Sequence, residues 1–179
     1  MKKLLWSFFE VGETIVIALA AVFLVRSFVA QPFLVSGSSM EPNFSDGNYL
    51  LVDELSYRFR EPERGEVVVF RHGGSRLSYY IKRVIGLPGE RVLIDNEVVT
   101  VLDGDKKKVL EEPYVVQKGK AGSFDFTLEK GQYFVMGDNR DFSFDSRSWG
   151  PLQSADIIGI VRLRLWPVNE VMAFNPPIY

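Results

Sequence analysis

The chain has 179 residues, enough for one compact domain plus an appendage but short for two domains with separate cores. A net charge of −2 with 25% charged residues leaves no basic footprint and argues against a nucleic-acid partner. With no cysteine and a single histidine, His72, the composition excludes disulfides, thiol chemistry and zinc sites built from the usual ligands, and no motif points to a cofactor.

Residues 6–25 are mostly apolar, with an unbroken run over 15–25, and a membrane-spanning helix needs about 20 such residues. Glu10, Glu13 and Arg26 must then lie near the headgroups or snorkel there. A cleaved secretory signal competes, because Lys2 and Lys3 precede the apolar stretch, but no small-x-small site is well placed in the Arg26, Ser27, Phe28, Val29, Ala30 that follows. A retained transmembrane anchor is the favoured reading, with a buried core helix as a third. Lys2 and Lys3 against Arg26 place the amino terminus in the cytoplasm and the chain after Gln31 outside, at the membrane surface.

After Pro32 the pattern becomes one of short β-type runs at 33–35, 48–52, 66–71, 78–85, 91–95, 97–102, 132–136 and 160–166, so the body is expected to be mainly β. The last run alternates, placing Val161, Leu163 and Leu165 on one face and Arg162 and Arg164 on the other. Residues 86–89 and 95–97 read as turns. Residues 102–126 are the most polar and loop-like, a small insertion whose Lys106, Lys107 and Lys108 read as a solvated face.

Three segments carry groups suited to chemistry. Ser36, Gly37, Ser38, Ser39, Met40, Glu41 and Pro42 form a loop able to present a hydroxyl, although a loop serine is more often a turn former than a nucleophile. His72 lies between Arg71 and the Gly73, Gly74, Ser75 stretch, and a surface-loop histidine without rigid neighbours makes a poor base for Ser39. Other hydrolase patterns fail too: Pro42 occupies the lysine position of a Ser-x-x-Lys motif, and one histidine cannot build a His-Glu-x-x-His site. The remaining nitrogen base is lysine.

Lys82 is unusual in lying within the apolar strand Tyr79, Tyr80, Ile81, Lys82, Arg83, Val84, Ile85. Alternation sends it to the face of Tyr80 and Val84, and Arg83 to the face of Ile81 and Ile85. Desolvation there lowers a lysine pKa from about 10.4 toward neutrality, where the amine accepts a serine proton. An edge-strand lysine reaching water is the competing reading. The third segment, residues 137–150, follows an apolar strand and is dense in charge. Its Asp138, Arg140, Asp141, Asp145 and Arg147 are able to pair into a rigid network, with Ser143 and Ser146 as hydroxyls that orient an amine. Surface ion pairs of little energy are the alternative.

Taken in order, these segments resemble the motif boxes of bacterial type I signal peptidases, peptidase family S26, which are membrane-anchored Ser/Lys endopeptidases. Gly37 to Pro42 resembles the nucleophile box, Tyr80 through Gly86, Leu87, Pro88 and Gly89 the lysine box, and residues 137–150 the Gly-Asp-Asn-Arg box. The resemblance implies a single N-terminal transmembrane helix, residues 1–30 with a short cytoplasmic end. It further implies an extracytoplasmic catalytic domain, residues 31–179, of antiparallel β type with a small β insertion at about 90–130. Ser39 would be the nucleophile, Lys82 the general base and then acid, Ser143 a hydrogen-bond partner of the lysine, and Asp145 and Arg147 structural support. The substrates implied are secretory preproteins with small residues at the first and third positions before the cut, read in a shallow apolar groove near membrane lipid and the export translocon.

Three departures stand out. Gly37 replaces a serine that donates to the oxyanion in some relatives, Asn43 replaces the usual threonine, and Phe142 replaces an asparagine. Phe33, Met40 and Trp149 are candidates to dock on lipid, with burial in the core the competing reading. Two rival functions remain on the sequence: a related self-cleaving Ser/Lys regulator, and a non-catalytic membrane-tethered β binding domain.

Overall fold

Strands form where β-branched and aromatic residues run together, with turn residues between them. The computed structural model describes residues 2–28, 30–73, 78–116 and 122–177. A helix, α1 (Lys2–Phe28), leads into β1 (Ala30–Leu34), β2 (Tyr49–Asp53), β3 (Val67–Arg71), β4 (Tyr79–Gly86), β5 (Arg91–Asp95) and β6 (Val98–Asp103). Then follow β7 (Lys106–Val109), β8 (Phe124–Thr127), β9 (Gln132–Met136), a short helix α2 (Ser146–Trp149), β10 (Leu152–Gln153), β11 (Ile157–Trp166) and β12 (Met172–Ala173).

The strands build two antiparallel sheets: a larger one in the order β1-β2-β11-β3-β4-β9-β10, with β12 on β11, and a smaller one in the order β7-β6-β5-β8. The fold is mainly β, as expected. The smaller sheet uses residues the sequence marks as an insertion, but β7 and β8 occupy stretches expected to be loop. The polar composition of β7 reflects exposure: it carries Lys106, Lys107 and Lys108 along an edge, paired with β6 and open to solvent, where charge deters further pairing, whereas β8 turns Phe124 and Phe126 toward the core. Residues 117–121 of that stretch, and Gly74 and Ser75 after β3, lie outside the described residues.

β3 is buried on both faces because its run of valines and phenylalanine serves two cores. Val67 and Val69 join Met40, Phe44, Leu50, Val52 and Val161 on one side. Val68 and Phe70 join Val84, Tyr133, Val135 and Leu152 on the other. A third cluster joins the sheets through Ile85, Val92, Ile94, Val99, Val101, Phe134 and Met136. Gly86 lies where they meet, and a Cβ there would run into Leu128 at 2.7 Å and into Val92. The turn between β5 and β6 is made by Asn96 and Glu97, both at positive φ, as a two-residue hairpin turn demands.

The expected alternation of β11 does not hold along its length. Its register against β2 shifts between Val161 and Leu163 and again between Arg164 and Trp166. Each shift turns the phase of the side chains, so Val161 and Arg164 are buried while Leu165 is exposed. Arg164 is satisfied there by the Glu170 carbonyl, the Asn43 carbonyl and Asn48 Oδ1, under the ring of Phe174.

α1 stands apart from the cores: residues 10–22 are exposed, with apolar side chains on consecutive positions from Ile15. Among the described residues no helix is long and apolar enough to cross a membrane. Glu10 and Glu13 break the apolar stretch on one side, while the side chains of Lys2, Lys3 and Arg26, on which orientation rests, lie outside those described. Of the residues expected to dock on lipid, Met40 is core and Phe33 and Trp149 are partly buried against core clusters. The large exposed apolar side chains of the body instead include Phe59, Val116, Phe142, Phe144, Trp166 and Val168.

Candidate active site

The loop between β1 and β2 is closed by backbone bonds from Val35 to Asn48 and from Gly47 to Val35, at 2.9 and 3.0 Å. Met40 and Phe44 plug it into the core, and Gly37, at φ 96, makes the turn before the serines while its N–H donates to Asp46. Ser39, one residue before the Met40 plug, is half-buried and lines a cavity shared with Lys82. Its Oγ accepts a hydrogen bond from Lys82 Nζ at 2.7 Å. The second donor bond of Nζ goes to the Ile81 carbonyl at 2.9 Å.

β4 delivers the lysine from the middle of the larger sheet, paired opposite Val68 of β3, and leaves it 3% exposed. It is therefore no edge-strand lysine reaching water. Burial pushes its pKa down to about 8, against the opposing pull of Asp145 and Asp138 and with help from Arg147. A neutral Lys82 is thus populated near physiological pH, and across the 2.7 Å contact a neutral amine is able to accept a proton from the Ser39 hydroxyl. If Lys82 is the base, kcat/KM rises tenfold per pH unit below about 8 and levels above it. A pH–rate profile without a limb near 8 would contradict lysine as the base.

Arg83 has the separate environment expected of it. Its guanidinium grips Asp138 through Nε and Nη2 at 2.8 and 2.7 Å, donates to the Gly65 carbonyl, and lies 4.0 Å over the Tyr114 ring. Asn43 completes this knot, donating to Asp138 at 2.9 Å and to the Tyr114 carbonyl at 2.8 Å. The residue that departs from the threonine pattern therefore ties the Ser39 loop to the charged segment.

In that segment Asp145 caps α2 and accepts from Arg147 Nε and Nη2 and from the Gly137 N–H. Burial favours its neutral form, but Arg147 and the Gly137 bond hold its pKa below the ordinary carboxylate value. Arg147 also donates to the Arg140 carbonyl, and Arg140 pairs with Glu112 from before β8. The charged groups therefore form a buried scaffold whose partners are partly outside the segment, while Asp141 stays exposed.

Ser143 is brought to the site but does not bond the lysine: its buried Oγ makes no hydrogen bond of good geometry, although it approaches Asp145 closely enough to help hold that carboxyl's pKa down. Gly137 makes its approach possible, since a Cβ there would meet Ser143 Cβ at 2.6 Å and would also strike Ser143 Oγ and the Ser39 carbonyl. His72 is not at the site. Its ring lies 4.2 Å from that of Trp149 and edge-on to Tyr80 at 6.0 Å. Phe142 points outward and is 69% exposed. Beside Ser39 and Lys82 lies a cavity of about 160 Å³ walled by Phe33, Val35, Leu50, Val69, Tyr79 and Ile81. A larger one, about 290 Å³ between Tyr114 and Phe174, does not reach Ser39.

The sequence pattern of the signal peptidase family, peptidase S26, matches residues 8–166. The chain belongs to this family. It is 36% identical over 167 residues to the probable signal peptidase I-2 of Synechocystis sp., covering 90% of this chain and 75% of that protein. Signal peptidase IB of Staphylococcus aureus is 34% identical over 182 residues, covering 91% and 92%. A crystal structure of a signal peptidase I from Enterococcus faecalis is 30% identical and covers 56% of this chain and 97% of that one, with a TM-score of 0.46.

Sequence reasoning about this signal peptidase family member missed Asn139, which reaches the nucleophile loop from the charged segment, and Glu112, the partner of Arg140. Both contacts join distant parts of the chain: Asn139 lies within the Gly-Asp-Asn-Arg box, but nothing local marks what it reaches, and no local pattern marks Glu112.

Proposed function

We propose that this chain is a serine endopeptidase that removes N-terminal signal peptides from exported preproteins, with Ser39 as nucleophile and Lys82 as general base. The observation that carries this reading is the 2.7 Å contact between Ser39 Oγ and a lysine amine whose pKa is lowered to about 8 by burial. Neutral Lys82 takes the Ser39 proton as Oγ attacks the scissile carbonyl. The ammonium so formed protonates the leaving amine, and the freed amine then deprotonates the water that hydrolyses the acyl-enzyme. With Gly37 lacking a hydroxyl, the Ser39 backbone N–H stabilises the oxyanion. Asp145 and Arg147 hold the loop that packs Ser143 against the site.

The small apolar cavity beside the pair supports a preference for small residues at the first and third positions before the cut. The division at residue 30 makes α1 a single-pass membrane anchor, with the amino terminus cytoplasmic and residues 31–179 on the extracytoplasmic side, near lipid and the translocon. Support comes from the exposed, consecutive apolar positions of α1, which no core of this domain covers, and from Lys2 and Lys3 ahead of them.

The test is cleavage of a preprotein with an Ala-x-Ala site by the detergent-purified chain. Ser39→Ala and Lys82→Ala are expected to abolish cleavage and His72→Ala to retain it. Dependence on His72 would overturn the Ser/Lys mechanism. Absence of cleavage by the wild type would favour a binding domain, and cleavage of the chain itself alone a self-cleaving regulator.

A further inference from the structure

Asn139 makes two contacts with the nucleophile loop. Its N–H donates to the Ser39 carbonyl at 3.1 Å, and its Nδ2 donates to the Ser38 carbonyl at 3.0 Å. The Ser38 carbonyl also accepts from the Glu41 N–H at 3.2 Å. In a planar trans peptide the C=O and the following N–H point in opposite directions. Fixing the Ser38 carbonyl therefore fixes the aim of the Ser39 N–H, which donates to no group among the described residues. Because Gly37 offers no hydroxyl, that N–H is the donor nearest in the chain to the oxyanion formed when Ser39 attacks. The other half of the Asn139 amide adds nothing to stability, since Oδ1 is buried without a partner.

We infer that Asn139 is a positioning residue for acyl transfer: by holding the carbonyls of Ser38 and Ser39 it aims the Ser39 N–H at the developing oxyanion. This rests on the role proposed for Ser39. Backbone donors stabilise only when they are oriented before charge develops, and loss of one is worth about 10²–10³ in kcat. Loosening a donor that stays in place is expected to give a smaller loss, roughly 30- to 100-fold.

The experiment compares wild type, Asn139→Ala and the near-isosteric Asn139→Asp as full chains in detergent. It reads kcat, KM and the pH midpoint on an Ala-x-Ala preprotein, the melting temperature, and affinity for a peptide boronate that forms a reversible tetrahedral adduct on Ser39. Both variants are expected to lose kcat by that factor and boronate affinity in parallel; Asn139→Ala, which adds no charge, keeps KM, pH midpoint and melting temperature close to wild type. A kcat for Asn139→Asp within about threefold of wild type would overturn the inference, as would a loss of kcat with boronate affinity intact, or one that tracks the unfolded fraction. Cleavage that survives Ser39→Ala would instead bring down the Ser39 reading itself.

Discussion

Replacing Lys82 by methionine is expected to abolish cleavage and, at pH 7, to make the protein more stable. The activity loss follows from removing the only amine in contact with Ser39 Oγ among the described residues, and general-base contributions run to about 10²–10⁴-fold. The stability gain follows from burial. Lys82 is 3% exposed and its folded-state pKa is lowered from 10.5 to about 8, so the folded state disfavours the protonated form that the unfolded chain holds readily.

At pH 7 both states carry the proton and the folded state bears the whole penalty. Between about 8 and 10.5 the folded protein has released a proton that the unfolded chain still binds, so wild-type stability rises with pH across that window. At about 1.4 kcal/mol per pKa unit, the penalty at pH 7 is on the order of 3 kcal/mol. Methionine has a stem of similar reach and no charge, but it gives up the bonds to Ser39 Oγ and the Ile81 carbonyl. A net gain of about 1–2 kcal/mol, or roughly 2–8 °C in Tm, is expected at pH 7. Melts of both proteins at pH 7 and pH 10 check this. A gap that does not shrink at pH 10 would show that lysine desolvation is not its source.

The parts of this fold that were legible in the sequence are those governed by local pattern. β3, β4, β5, β6 and β9 each combine β-branched or aromatic residues with a turn signal at one end, and each forms close to where those signals place it. Lys82 stood out as a lysine within an apolar strand, but local pattern alone left an edge-strand lysine reaching water as the better reading, and its burial depends on β3 and β9 flanking β4. β7 was not legible because an exposed edge strand of a small sheet needs no apolar face, and β8 because its inward-facing Phe124 and Phe126 span only four residues at the end of a polar stretch. The phase of β11 was lost to its two register shifts, which depend on the partner strand rather than on β11 alone. The site was half visible in the same sense. Ser39 and Lys82 lie in recognisable local contexts, but the groups that fix them are long-range pairs: Arg83 with Asp138, Arg140 with Glu112, and Asn139 with Ser38. The expected bond of Ser143 to the lysine is not made; its hydroxyl lies toward Asp145 instead.

Removing Asp138 is expected to be the most destabilising single change near the site. Its carboxylate is fully buried and takes two bonds from Arg83 and one from Asn43, so it ties β4, the nucleophile loop and the charged segment together. Asp138→Ala leaves the Arg83 guanidinium buried with the Gly65 carbonyl and the Tyr114 ring but without its counter-charge. Breaking a buried pair from one side costs about 3–5 kcal/mol, whereas removing both charges together is far milder. Adding Arg83→Met to Asp138→Ala should therefore recover part of the loss in urea unfolding, and a double variant no more stable than the single one would contradict the account. Catalysis gives a second readout. Asp138 helps to raise the Lys82 pKa against desolvation, so the shape-preserving Asp138→Asn, by taking that negative charge away, lets the amine lose its proton more easily. The acid limb of the pH–rate profile should then move below its wild-type midpoint near 8, in the direction opposite to the shift expected if Arg147 were neutralised. An unmoved limb would mean that Asp138 supports the site through structure alone.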